Sequence, residues 1–236
     1  SLKVSDLLDE AEKLNEFNLV KEISQQLPIY TLSQILGIPE SDRQKLTEWM
    51  EFLELAQYFT LEQIKQNEEG ITDTTPDPAL VEMFNNMIDE MFDYGRFILN
   101  KKKDKPENDL LSAIANAKIE GEDLSQEFLD GSWLLIVFAG NDTTRNTMSG
   151  GIKLLNENPQ QKQLFLDNFE RVTGLINETV RCVSPVIHMR RTTLEETIID
   201  DQKIGPFEKI ALWYGAANRD PEIFDDPDKF NIMRTN

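Results

Sequence analysis

Three groups of residues in this sequence could do chemistry. The first is the run Ala139-Gly140-Asn141-Asp142-Thr143-Thr144, where a carboxamide, a carboxyl and two hydroxyls follow a glycine. These are hydrogen-bonding and proton-carrying groups, set halfway along a helical stretch. Glycine weakens a helix interior by about 1 kcal/mol relative to alanine. Asparagine, aspartate and threonine are poor helix formers as well. The hydroxyls of Thr143 and Thr144 can bond the carbonyls of Ala139 and Gly140, which opens the helix ladder and bends it. A helix that gives up stability at its midpoint suggests a site. A kink with a buried polar patch explains the same residues equally well. The second group, Glu178-Thr179-Val180-Arg181, places opposite charges three apart on one helix face, where they can pair. By itself that pattern adorns countless exposed helices. The third runs from Pro185 to Thr193 and on through Ala217-Asn218-Arg219-Asp220-Pro221 to Phe230, dense in arginine and aspartate around short strands and turns. Unaided, it reads as a polar network with no named chemistry.

Helices must position most of these residues. Apolar residues recur at helical spacing from Leu7 to Leu14, with Ser5 as N-cap. The pattern continues from Phe17 to Leu36, with a break expected at Pro28. Gly37-Ile38-Pro39 is a stop, and Glu40, Ser41 and Asp42 can cap a helix that runs to about Phe59. Residues 67–78 are the clearest loop. A long amphipathic helix follows from Ala79 to Lys103. Its terminal Lys101, Lys102 and Lys103 complement the helix dipole and read as a solvated end. A short helix near residues 110–117 and a loop from Gly121 lead to Ser125, which can cap a helix from Gln126 to Asn158. At about 1.5 Å per residue that helix would span roughly 50 Å. Its centre, Trp133 to Gly140, is apolar on all sides and should lie in the protein's middle. Helices are expected near Gln160–Phe169 and Val172–Val183. After Pro185 the texture turns to strands, at His188–Thr193 and Lys209–Trp213, with turns at Ile204-Gly205-Pro206 and Asp225-Asp226-Pro227.

Composition limits the functions these elements can serve. The 236 residues carry 24 basic and 43 acidic side chains, a formal charge of −19. Such a balance argues against nucleic acid and against anionic membrane surfaces. The longest apolar run is too short to span a bilayer. With one cysteine, Cys182, no internal disulfide can form. Cys182 sits on a helix without flanking glycines and reads as a packing residue. His188, the only histidine, cannot join a multi-histidine site and reads as a packing or hydrogen-bonding residue. Met50, Met83, Met87 and Met91 read as core filler.

Taken together and in this order, the three groups resemble the cytochrome P450 family. AGNDTT resembles the oxygen-binding signature of the family's long central helix, and ETVR its Glu-x-x-Arg helix. RTTLE resembles the strand after that helix, and ANRDPEIFDDPDKF the segment leading towards the haem loop. The resemblance implies a mainly α fold with small β regions, an incomplete cytochrome P450 fold in one domain spanning 1–236. The family's N-terminal third and C-terminal haem-ligand region have no counterpart here. It implies a haem b cofactor (iron protoporphyrin IX). In such a site Ala139 and Gly140 leave room for dioxygen and substrate. Asp142 relays protons and Thr143 bonds the oxygen species and its waters. Arg191 binds a haem propionate, and Val186 and Ile187 line the substrate pocket. Glu178 and Arg181 form a buried brace. In many relatives a later arginine completes that brace. Lys229 stands at its place, with Arg234 as a substitute.

The family's cysteine ligand is absent from the sequence and is expected about a dozen residues beyond Asn236. The implied activity is a monooxygenase that inserts one atom of O2 into an unactivated C–H bond. The favoured substrate is an alkane or fatty acid, with a steroid or terpene as the alternative. Electrons would come from NAD(P)H through ferredoxin and ferredoxin reductase, in the cytoplasm. The competing reading is a haem-free helical interaction module, if the chain natively ends at Asn236.

Overall fold

The computed structural model describes residues 2–53, 55 and 78–235. The chain divides into two compact units, Ser1–Glu10 with Gln25–Asp142, and Ala11–Ser24 with Thr143–Asn236. Helix α1 (Leu2–Glu12) starts before Ser5, so Ser5 is helical and not the expected cap. A π-helical turn at Val20–Ser24 precedes α2 (Gln26–Leu36). The break expected at Pro28 therefore falls earlier. Pro28 occupies the first turn of α2, where its missing N–H has no helical bond to lose.

Gly37 closes α2 with a φ of 68°. Its N–H and that of Ile38 turn back to the carbonyls of Gln34 and Ser33 at 3.2 and 2.9 Å, a Schellman-type end. A 3-10 turn at Glu40–Asp42 leads into α3 (residues 43–53). The end expected near Phe59 and the loop expected at 67–77 lie outside the described residues. Pro78 opens α4 (Pro78–Asp104).

The end of α4 departs from the solvated run of lysines. Lys102 turns inward with its side chain 5% exposed, and its ammonium bridges Glu107 at 2.6 Å and Asp109 at 2.5 Å. Asp109 also caps α5 (Leu110–Ala115), accepting from the Ser112 N–H at 2.8 Å. Room for this pair comes from Gly37, where a Cβ would overlap both charged groups. Next come β1 (Lys118–Ile119) and β2 (Glu122–Asp123), an antiparallel hairpin where only a loop is predicted. Glu120 and Gly121 at its turn both have positive φ, the geometry that matches strand twist in a tight hairpin.

Ser125 caps α6 (Gln126–Ala139) as expected, accepting from the Phe128 N–H at 3.2 Å. Trp133 and Val137, each 1% exposed, enter a core with Leu36, Leu46, Trp49, Met91, Ile98 and Leu111. The Trp133 indole donates to the Met91 carbonyl at 3.0 Å. Its ring lies so close to α4 that a Cβ on Gly95 would overlap it. Leu135 is 66% exposed, so this stretch is not buried all round as predicted. Nor is the helix from Gln126 to Asn158 continuous. Gly140 and Asn141 form a turn between α6 and α7 (Asp142–Glu157).

The second unit continues from α7 through Pro159 at the first position of α8 (Pro159–Asp167), a 3-10 turn at Phe169–Arg171, and α9 (Val172–Val183). Gly150 and Gly151 let α7 approach α9 closely, since a Cβ at either would press on Val183 or Thr179. Strand β3 (His188–Thr192) pairs antiparallel with β6 (Lys209–Trp213), placing Met189 opposite Leu212 and Arg191 opposite Ile210. Between them β4 (Thr197–Ile199) and β5 (Gln202–Ile204) form a second hairpin that the sequence does not announce. A short α10 (Tyr214–Ala217) follows, and the remaining residues return towards α9 as turns.

Candidate functional site

The first unit carries the start of the polar hexapeptide. At its break the ladder tightens: the Gly140 N–H reaches Ile136 at 3.2 Å, but the Asn141 N–H reaches Phe138 at 3.4 Å. The Val137 carbonyl thereby loses the donor that an unbroken helix would supply four residues on. Gly140 fits because a Cβ there would press on Leu32 at 3.0 Å and on the Ile136 carbonyl at 3.2 Å. Asn141 is the buried member of the run, 2% exposed, and its Oδ1 has no hydrogen-bond partner. Ala139 and Asp142 are exposed, while Gly140 and Thr143 are half-buried. Asp142 occupies the first turn of α7, where the helix dipole favours a carboxylate. Thr143 opens the second unit's share of α7, and its carbonyl accepts from the Thr147 hydroxyl at 2.8 Å.

In the second unit, Glu178 and Arg181 come together as expected. They are 3% and 6% exposed. Arg181 Nε and Nη2 each donate to a Glu178 oxygen at 2.8 Å, the two-pronged geometry that suits a guanidinium and a carboxylate. The rest of the Arg181 fork reaches main-chain oxygens, at Asn218 and Pro227 (both 2.7 Å) and at Lys229 (3.1 Å). The third member is Arg234. Its Nε donates to Glu178 at 3.1 Å, and its other nitrogens reach the carbonyls of Asp225, Asp226 and Lys229. Lys229 points elsewhere and pairs with Asp226 at 2.7 Å on the surface. Both guanidinium groups lie over the Phe224 ring, at 5.2 and 5.8 Å, an attraction between cation and ring face. Burial alone would raise the Glu178 carboxyl's pKa. The Arg181 hydrogen bonds, the Asn231 N–H at 2.9 Å and the arginine charges outweigh it and hold the group below the ordinary carboxylate range.

Cys182 is half-buried beside this network, its sulfur 3.2 Å from Arg181 Nη2. Burial and then the Glu178 charge push its thiol up, against the pull of the arginines. The thiolate is the form that binds metal, and this setting does not favour it. The Asn218 side chain donates to Ser184 at 3.0 Å, and Arg219 donates to the Cys182 carbonyl at 2.6 Å. These contacts fasten the later segment to the end of α9.

The β3–β6 ribbon shows how the remaining candidates are presented. Side chains alternate along a strand, so Met189 and Arg191 share a face with their cross-strand partners Leu212 and Ile210. Ile187, just before β3, has the same parity, and Val186 beside it is half-buried. Ile187, Met189 and Leu212 are 60%, 46% and 39% exposed. Arg191 is exposed, donates to the Arg190 carbonyl at 3.0 Å, and has no carboxylate partner among the described residues. An open apolar strip with an unpaired guanidinium at one end fits a flat apolar macrocycle that carries carboxylates. His188 lies on the other face, with its ring 4.8 Å from that of Trp213, which agrees with the packing role expected of it.

Sequence reasoning missed the burial of Asn141, the parts played by Phe224 and Arg219, and the bare backbone that Arg181 grips. Only Asn141 left a signal, as a polar residue beginning the interruption of an apolar helix.

Comparison with known proteins points to one family. A family model for cytochrome P450 matches residues 164–235. Linalool 8-monooxygenase of Pseudomonas putida is 30% identical over 220 residues, which cover 93% of this chain and 50% of that protein. A methyl-branched lipid omega-hydroxylase of Mycobacterium bovis is 29% identical, covering 92% of this chain and 47% of that protein. Cytochrome P450 109 of Bacillus spizizenii is 30% identical over 97% of this chain and 53% of its own length. The chain thus spans about half the length of the curated relatives it matches. Among solved structures, Mycobacterium marinum cytochrome P450 CYP268A2, in complex with pseudoionone, superposes with a TM-score of 0.83 at 29% identity. That match covers 99% of this chain and 54% of that one.

Proposed function

Since the chain belongs to the cytochrome P450 family, we propose that it is the central and proximal part of a haem-dependent monooxygenase acting on a hydrophobic substrate. The observation that carries this reading is the buried Glu178–Arg181–Arg234 network. It uses charged side chains, costly to bury, to fix the backbone that leads out of residue 230. The haem b group, when bound, would supply the oxygen-activating and electron-accepting chemistry. Arg191 would pair with a propionate through its forked donors, with Ile187 and Met189 along the same strip. Ala139 at the end of α6 and Gly140 in the turn after it carry little or no side chain and would leave space for dioxygen and substrate. Asp142, exposed at the first turn of α7, would exchange protons with solvent. Thr143, half-buried, would hold a water and its proton with its hydroxyl. Val186 and Ile187 would contact substrate. Both units would then be parts of one domain.

The substrate class we favour is a long alkyl chain, as in an alkane or fatty acid. Its support is the likeness to the methyl-branched lipid omega-hydroxylase. Linalool 8-monooxygenase keeps terpenes as the alternative. Electrons would come from NAD(P)H through ferredoxin and its reductase. The test is the reduced, CO-bound spectrum of the complete haem-loaded protein, which should show the red-shifted Soret band of a thiolate-ligated haem. Normal haem occupancy without that band would overturn the reading.

A further inference from the structure

Two tryptophans and a tyrosine meet inside the first unit. Trp49 and Trp133 are each 1% exposed, and Tyr94 is half-buried beside them. The ring centroids stand 5.5 Å apart for Trp49 and Tyr94, 5.8 Å for Tyr94 and Trp133, and 6.2 Å for Trp49 and Trp133. Edge-to-face and tilted rings at such distances are ordinary core packing. The polar ends of these three rings are not alike. The Trp133 N–H donates to a main-chain carbonyl, which is no base, and the Trp49 N–H has no partner. The Tyr94 hydroxyl alone faces a carboxylate, donating to Asp42 Oδ2 at 2.9 Å, within reach for direct proton transfer. Indoles so placed can lose an electron but keep their protons, whereas the phenol can lose both.

We propose that this cluster is a one-electron relay. Oxidising equivalents reaching Trp133, on the helix that ends at Ala139, pass through the indoles and end on Tyr94. A strong one-electron oxidant takes an electron from an indole and leaves its radical cation. Tyr94 returns that electron, its O–H bond breaks, and the proton moves to the Asp42 carboxylate. The products are a neutral tyrosyl radical, a carboxylic acid and a restored indole. A small-molecule reductant, a thiol or ascorbate, then supplies an electron while Asp42 returns the proton. The surroundings favour Tyr94 over Tyr30. Tyr30 has the Arg43 guanidinium 4.7 Å and the Lys3 ammonium 5.9 Å from its ring centroid, and cations there oppose loss of an electron. Lys45 lies 5.9 Å from Tyr94, but its charge is shared with Glu90 at 3.0 Å. Gly95 sets the fit, since a larger residue would drive the Trp133 ring away. In the cell the relay would drain oxidising equivalents from aborted turnover, a setting that rests on the monooxygenase reading.

The test supplies its own oxidant, so its outcome is separate from that of the CO spectrum. Photogenerated tris(bipyridine)ruthenium(III) is applied to the purified protein, and radicals are followed by transient absorption and freeze-quench electron paramagnetic resonance. A tyrosyl signal is expected that is lost in Tyr94→Phe, where an indole radical persists instead. Asp42→Asn should slow the tyrosyl rise and weaken its solvent deuterium effect while keeping the same hydrogen-bond shape. An unchanged tyrosyl signal in Tyr94→Phe, arising from Tyr30, Tyr58 or Tyr214, overturns the relay. So does an unchanged rise in Asp42→Asn.

Discussion

Replacing Arg234 with alanine tests which residue completes the buried network. The Arg234 side chain is 8% exposed, and it bonds Glu178 and the carbonyls of Asp225, Asp226 and Lys229. Stranding a buried charge by removing its partner costs about 3–5 kcal/mol. Glu178 here keeps Arg181 and the Asn231 N–H, so the electrostatic part falls below that range. The lost carbonyl bonds add about 1 kcal/mol each net. Together these give more than about 3 kcal/mol for Arg234→Ala. Lys229→Ala removes a side chain that is 72% exposed and paired with an equally exposed Asp226. Such surface pairs contribute less than about 1 kcal/mol, and the Lys229 carbonyl that both arginines use remains in place. Guanidinium unfolding of each variant, followed by circular dichroism, measures the gap directly. Equal losses in the two variants, or a larger loss for Lys229→Ala, would refute the assignment of Arg234.

Acid should weaken the same network. Because the folded Glu178 carboxyl sits below its ordinary value of 4.5, the unfolded chain takes up the proton first. The stabilisation is complete above that value and is lost as pH falls through the lower folded one; Glu178→Gln should flatten that part of a stability-versus-pH curve. Lys102→Met strands Asp109, whose side chain is 6% exposed, and is expected to cost about 3 kcal/mol in thermal or denaturant unfolding. A loss below about 1 kcal/mol would mean that the pair behaves as a surface one. In the haem-loaded protein, Thr143→Ala should retain haem and substrate yet divert reducing equivalents to peroxide, read as product formed per NAD(P)H consumed. Unchanged coupling would remove Thr143 from proton handling.

Where a signal is local, the sequence was enough. Ser125 as a cap, Pro159 as a stop, the extent of α9 and the β3–β6 strands all follow from short-range rules. The central helix shows the limit of those rules. Its polar run marks the interruption, yet the helical pattern resumes at once, and periodicity does not register a turn confined to Gly140 and Asn141. The β4–β5 hairpin turns on Asp200 and Asp201, both at positive φ without a glycine to betray them. Lys102 looked like its neighbours because its partners arrive from a separate loop. Position in the sequence favoured Lys229 over Arg234 for the same reason. Which cation reaches Glu178 is decided by how the tail folds back, and that is written in no single stretch of residues.

Arg181 holds the returning tail by oxygen atoms that every amino acid possesses. A lock that recognises the peptide chain itself is indifferent to the letters it carries, so long as the path is kept. Apart from Asn218, Arg219 and Phe224, whose side chains take part in the hold, residues 218–229 are therefore free to change their outward side chains, and with them the surface shown to other molecules, while the route beneath stays fixed. A guanidinium is suited to that task because it stays charged across the range of pH at which proteins fold.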